Sequence, residues 1–309
     1  MNSDHSQNSQ FGLGLRSSHF PEVLKHLGVN KLKLWFEAIS ENYMDVGGYP
    51  IQVLDKIRQN YELAFHGVGM SIASPEPIDI NYLKSLKKLV DRFEPFIVSD
   101  HLSWTRFADW SSHDLLPFNY NEKNLNNMTE KILFVQDFLQ RPLAFENPSI
   151  YLDLPGHEMP EADFIQQLSK KTSCQLLLDV NNLVVNKHNV GLDIHNYLLK
   201  IKNCNVVQFH IAGHSIQESI ITTVTGPVTE VIRIDTHDHH PCGEAIEYLA
   251  VVRKMWPNAR PMLEWDDKIP AWHEILVIKD QIDHLTQMQD GKNHNTNNHQ
   301  NERSSEYGI

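Results

Sequence analysis

The chain has 309 residues, a formal net charge of -12 and 41% hydrophobic residues, enough core for one large α/β barrel or two ordinary domains. The acidic balance repels phosphate backbones and argues against a nucleic-acid partner. Cys174, Cys204 and Cys242 lack tight spacing and predict a reducing, cytoplasmic setting without a disulfide framework; no apolar run suits a membrane span, and the polar start MNSDHSQNSQ lacks the apolar stretch of a signal peptide.

Residues 1–10 read as a disordered N-terminus. From there short apolar runs alternate with stretches of helical period. The predicted strands are FGLGL (11–15), LKLWFEAI (32–39), ELAFH (62–66), FIVSDH (96–101), PLAFE (142–146), CQLLLD (174–179), VVQFHIA (206–212) and PMLEW (261–265). The stretches 81–94 and 124–139 carry apolar residues three and four apart, as amphipathic helices do. Residues 11–287 are therefore predicted to form one (β/α)8 TIM barrel. No Gly-rich nucleotide fingerprint follows the first strand, which disfavours a doubly wound sheet. Residues 288–309 are polar, Asn-rich and nearly free of apolar residues, and read as a disordered tail.

Polar residues collect at the C-terminal ends of these strands. His66 ends the third, Asp100 and His101 the fourth, Glu146 the fifth and Asp179 the sixth, with Asn182 just beyond. His210 lies on the seventh, Asp235 and His237 follow it, and Glu264 ends the eighth. In a barrel all of these ends meet at one mouth. Four carboxylates crowded there would raise one another's pKa unless cations neutralise them, so the pattern predicts two or three divalent metals. Asp235 and His237 are two apart and, in extended chain, face one side; Asp179 and Asn182 need a turn to meet. His113, His157, His188 and His195 read as ordinary core or surface histidines, Asp266 and Asp267 as a solvated loop or helix cap, Cys242 as a structural thiol, and Asp100 as a neighbour that orients His101. His214 is the candidate for proton transfer, and Glu41 and Asn42 are candidates either for lining an entrance or for starting a helix.

The blocks GLGLRSSHF, WFEAISENYM, FHGVGMSI, SDHLSW, FENPSIYL, LLLDVNNLVVNKHN, QFHIAGH, IDTHDHHP and LEWDDKIP resemble the multinuclear non-haem iron-dependent oxidative enzymes, which include the methanobactin-type oxidases. The resemblance implies a xylose isomerase-like barrel holding two or three iron ions, with His66, His101, Glu146, Asp179, Asn182, His210, Asp235, His237 and Glu264 as ligands and Glu146 as the bridge. It implies an oxidoreductase that uses O2 to modify cysteines of a ribosomally made precursor peptide, which a partner protein can present. The ligand order also resembles the trinuclear zinc apurinic endonucleases, but these carry His where this chain has Asn182. A neutral amide oxygen is a poorer zinc donor than imidazole. A metal-dependent hydrolase or sugar isomerase on the same barrel is the alternative reading.

Overall fold

The computed structural model describes residues 11–28, 32–107, 110–152, 154–223 and 226–301. Its strands in chain order are β1 (Gly12–Gly14), β2 (Trp35–Ile39), β3 (Leu63–His66), β4 (Ile97–His101), β5 (Trp104–Phe107), β6 (Trp110–Leu116), β7 (Ala144–Glu146), β8 (Gln175–Asp179), β9 (Val206–Ile211), β10 (Ser215–Thr223), β11 (Gly226–Ile234) and β12 (Arg260–Leu263). Eight of these close into a parallel barrel in the order β1-β12-β9-β8-β7-β4-β3-β2. All eight predicted strands are present and in the barrel.

The helices are α1 (Phe20–Lys25), α2 (Tyr49–Arg58), α3 (Ile80–Phe93), α4 (Glu122–Leu139), α5 (Glu161–Thr172), α6 (Val180–Val190), α7 (Ile194–Ile201), α8 (Gly243–Met255) and α9 (Trp272–Asn301). Several starts are written into the sequence. Asp79 caps α3, Asn121 caps α4 and Asp193 caps α7, each accepting a backbone N–H of the first turn. The apolar stripes of these helices pack on the outside of the barrel; Leu83, Leu86 and Phe93 of α3 and Met128, Ile132 and Val135 of α4 are buried there.

Inside the barrel, alternate residues of each strand point inward. The lower layer is apolar: Trp35, Ala64, Ile97, Ala144, Leu177 and Met262 form one cluster. Trp35 fits only because position 12 is glycine; a Cβ there would lie 2.4 Å from the indole. Two residues further along the strands, the same inward positions become Glu37, His66, Ser99, Glu146 and Asp179. The barrel is thus plugged below and polar above.

Two features depart from the sequence-based expectations. Two antiparallel ribbons, β5–β6 and β10–β11, rise from the mouth and have no counterpart among the predicted strands. The final helix runs through 288–301, within the segment expected to be a disordered tail. Residues 1–10 and 302–309 lie outside the described residues, as does the side chain of His113. Among the described residues no helix is long and apolar enough to cross a membrane.

Candidate metal centre

The sequence DVNN turns out to be a strand end and a helix start at once. Asp179 closes β8 and is the N-cap of α6: its Oδ1 accepts the Asn182 N–H at 2.7 Å. One helical turn therefore brings Asn182 back beside Asp179, which supplies the turn the spacing required. The Asn182 Nδ2 donates to the Asn147 carbonyl at 3.0 Å and lies 3.5 Å from Glu146 Oε1. A carbonyl can only accept, so the amide is oriented and its Oδ1 is left facing inward, buried and without a partner. Asn147 in turn grips the strand end through Asp179, accepting its N–H at 2.8 Å and donating to its carbonyl at 3.1 Å.

Around these two residues the barrel mouth brings together most of the predicted set; among them Asp235 contacts only His237 and enters none of the donor groups below. Glu146 Oε2 lies 3.2 Å from His66 Nε2, 3.5 Å from His101 Nε2 and 3.5 Å from His210 Nδ1. His210 Nδ1 lies 2.9 Å from Glu264 Oε2, and His237 Nδ1 lies 3.4 Å from the same oxygen. Asp235 Oδ1 is 2.7 Å from His237 Nε2. The donor atoms fall into overlapping groups: His66, His101 and Glu146; His66, His210 and Glu264; Glu146, Asp179, His210 and Glu264; and His237, Glu264 and Asp266, the atoms of each within 4.8 Å of one another.

These groups fit metal ions on two counts. Glu146 Oε2, Asp179 Oδ2, Asn182 Oδ1, His210 Nδ1, His237 Nε2 and Glu264 Oε2 are all buried and make no aligned hydrogen bond, their close polar contacts being with one another and with neighbouring ligand-type residues. Native interiors rarely leave polar atoms so, and here six of them converge on one mouth. Second, two ligands of one ion at about 2.1 Å subtend about 3.0 Å at right angles and about 3.4 Å in a tetrahedron. Most of the separations above are of that size. No cysteine contributes to the described groups; Cys174 and Cys204 are buried and Cys242 precedes α8.

Without cations the charges crowd. Burial raises the Asp179 carboxyl well above its usual range, with Glu146 and Asp235 adding to it. Burial raises Glu146 as well, but His101 and His210 outweigh it and hold that carboxyl well below the ordinary value. Burial depresses His210 and His237, yet the carboxylates around them more than reverse this and push both up. The metal-free cluster thus retains protons that cations would displace.

Supporting residues fix the ligands. His66 Nδ1 contacts Ser99 Oγ at 2.8 Å and His101 Nδ1 contacts the Gly67 carbonyl at 3.1 Å, leaving both Nε2 atoms for the centre. Glu37 Oε1 is 2.9 Å from His210 Nε2, and Gln208 hydrogen-bonds the same carboxylate. Sequence reasoning missed Glu37, although a carboxylate inside the apolar run LWFEAI was its signal. His237 holds a left-handed backbone, φ 48°, an uncommon conformation for a side chain with a Cβ.

Other expectations are amended. Asp266 is not simply solvated: its Oδ2 lies 3.1 Å from His237 Nδ1 and its other oxygen pairs with Arg16. Asp100 bonds the backbone of His101 and not a ring nitrogen: it accepts the N–H of His101 and of Met70, while His101 Nδ1 meets the Gly67 carbonyl. Glu41 Oε1 takes the N–H of Val68 and Gly69 and the Tyr82 hydroxyl, so it shapes the loop after β3 and lines a cavity beside the mouth. His214 has both ring nitrogens engaged, by Asn181 at 2.7 Å and Arg233 at 2.6 Å, and burial followed by Arg233 lowers its pKa. His157 stacks on Tyr120 and His188 pairs with Glu244.

Above the cluster is a cavity of about 220 Å³ lined by His66, His101, Glu146, Asn182, His237 and Glu264 below and by Ile39, Val68, Leu115 and Tyr151 at the sides. The Tyr151 hydroxyl accepts from Ser149 Oγ and from the Asp235 N–H, both at 3.0 Å, which leaves its own hydrogen free to donate.

The barrel is similar to those of an endonuclease and several sugar epimerases. Endonuclease IV from Thermus thermophilus aligns with a TM-score of 0.56 at 14% identity, covering 90% of this chain and 99% of that one. An Escherichia coli 3-keto-D-glucoside 4-epimerase aligns at 0.53 and 11% identity, covering 89% and 98%. At such identities the likeness establishes the xylose isomerase-like fold alone. Sequence relatives are nearer: a UPF0276 protein of Caulobacter vibrioides is 39% identical over 87% of this chain and 91% of its own length. Another from Rhizorhabdus wittichii is 40% identical over the same shares. The family model described as RiPP precursor modification enzyme MbnB/TglH/ChrH matches residues 10–287, which spans the whole barrel and every ligand-type residue at its mouth, and the chain belongs to that family.

Proposed function

We propose that the protein is a non-haem multinuclear iron oxidase that holds two or three iron ions and uses O2 to modify cysteine residues of a ribosomally made precursor peptide. The convergence of six buried donor atoms that make no aligned hydrogen bond is the observation that carries the metal part of this reading. Membership of the precursor-modification family supports a peptide substrate. The choice of iron rests on the resemblance to the iron-dependent oxidative enzymes; the donor set of imidazole, carboxylate and one neutral amide oxygen, without thiolate, suits iron, manganese or zinc alike. Bound iron would supply a seat for the substrate thiolate, a seat for O2 and the electrons that reduce it.

The chain's own residues then have separable tasks. Glu146, in contact range of His66, His101 and His210, would bridge two ions. Asn182 would offer a weak oxygen that yields its place to an incoming ligand. Ile39, Val68 and Leu115 add apolar lining to a cavity otherwise walled largely by polar groups. The Tyr151 hydroxyl would donate a hydrogen bond to whatever fills the cavity. A partner protein that presents the peptide is compatible with an open mouth rimmed by two ribbons.

The test is metal analysis and Mössbauer spectroscopy on protein purified without oxygen, followed by O2 uptake with a Cys-containing precursor peptide. At least two irons per chain and peptide-dependent O2 consumption are expected. Zinc at full occupancy, or no peptide-dependent uptake by iron-loaded protein, would favour a hydrolase or isomerase on this barrel.

A further inference from the structure

We propose that Arg233, His214 and Asn181 form a one-way hydrogen-bond chain that aims the Asp235 carboxylate at a metal position beside His237, with His214 as a positioning residue and not a proton carrier. This inference rests on the reading of Asp235 as a metal ligand.

The direction of each bond is forced by the one before it. Arg233 Nη1 lies 2.6 Å from His214 Nε2. A guanidinium can only donate, so Nε2 must accept, and the ring proton sits on Nδ1. Nδ1 then donates to Asn181 Oδ1 at 2.7 Å. With its oxygen so committed, Asn181 turns its amide nitrogen to Asp235 Oδ1 and donates at 2.6 Å. The chain begins at a fixed cation and ends at a carboxylate, and a second proton on His214 would set N–H against N–H. Neither ring nitrogen is left to reach a substrate, and His214 does not line the metal cavity.

Both ends of the relay are anchored. The Arg233 N–H donates to Asn189 Oδ1 and its carbonyl accepts from Asn189 Nδ2, each at 2.9 Å. Asn181 is fully buried and sits on the first turn of α6, between Asp179 and Asn182. Helix α6 therefore presents two ligand-type side chains directly and steers a third through its neighbour. The Asp235 Oδ1 that receives this bond is also the oxygen 2.7 Å from His237 Nε2, so rotating it away would separate the Asp-x-His pair. A hydrogen-bond partner of a ligand is typically worth ten- to a hundredfold in metal affinity.

The experiment compares Arg233→Met, His214→Leu, His214→Gln and Asp235→Ala with the native protein. Co2+ affinity is read from its visible absorption, and ions bound per chain from elemental analysis. His214→Gln keeps one acceptor and one donor but cannot act as an imidazole acid or base. Arg233→Met and His214→Leu should weaken one of the Co2+ positions about tenfold and leave the others; His214→Gln should stay within about threefold of native. In the zinc-loaded protein, the 15N resonances missing from His214→Gln should report a neutral ring protonated on Nδ1 from pH 6 to pH 8. A ring protonated on Nε2, or His214→Gln as damaging as His214→Leu, overturns the relay while leaving the metal reading intact. Unchanged Co2+ binding in Asp235→Ala overturns the ligand role of Asp235, and the relay's purpose with it.

Discussion

Replacing Glu37 by Gln removes one charge from the barrel interior without changing its volume. Glu37 is buried, and its Oε1 lies 2.9 Å from His210 Nε2 while His210 Nδ1 faces the metal centre. When Nδ1 is given to a metal, Nε2 carries the proton and donates it to Glu37, which makes the imidazole a stronger donor. Two magnitudes bound the effect. Partners of this kind typically cost ten- to a hundredfold in affinity, about 1.4 to 2.7 kcal/mol. Across the imidazole, Glu37 sits about 7 Å from a metal placed at about 2.1 Å from Nδ1; at an effective dielectric constant near 20 a unit charge and a divalent ion then interact by about 5 kcal/mol. The second figure omits the cost of burying the charge, so it is a ceiling. Glu37→Gln should therefore weaken one Fe2+ or Co2+ position by about ten- to a hundredfold in a chelator competition. The metal-free protein should also melt at a lower temperature, because Glu37 is one of the carboxylates that hold His210 protonated there and removing one partner of a buried pair is costly. Affinity within about twofold of native, with the fold intact, would refute the argument that Glu37 acts through His210.

Glu146→Gln should lose bound metal and activity together, read as ions per chain and O2 uptake, since it withdraws the one carboxylate oxygen that faces three histidines; full metal content with normal turnover would show that Glu146 does not bridge. Asn182→His should raise zinc content and lower oxidase activity, because imidazole replaces a weak oxygen at the same helical position; unchanged metal preference and turnover would place Asn182 outside the ligand set. Glu161→Gln tests a group away from the metals. Burial pushes that carboxyl up to about 8, with the Tyr197 hydroxyl partly opposing, so the unfolded chain ionises from about pH 4.5 while the folded chain does not, and stability falls as pH rises through that window. The substitution should stabilise the protein by up to about 3 kcal/mol at pH 7 and by less at pH 5, seen as a higher melting temperature; a gain in melting temperature that is the same at pH 5 and pH 8 would refute it.

Local pattern alone was enough for the barrel and most of its mouth. Strand and helix periods are local properties, and a parallel barrel must gather its strand ends at one rim, so His66, Glu146 and Asp179 are legible as neighbours from the chain order of their strands. The Asp179-x-x-Asn182 pair is legible as residue types, but only the helix start after β8 explains how they meet. Glu37 is marked in the sequence as a carboxylate within an apolar run, but its contact with His210 and the Arg233–His214–Asn181 chain emerge only in the folded molecule. Glu37 meets His210 across the barrel from a strand far earlier in the chain, and Arg233 reaches His214 only because β10 and β11 pair back to back. Spacing along the chain carries no trace of such contacts, since they are fixed by barrel closure and ribbon register. Asp266 escapes a sequence reading for the same reason: its loop reads as solvent-facing, and only the fold brings it to His237.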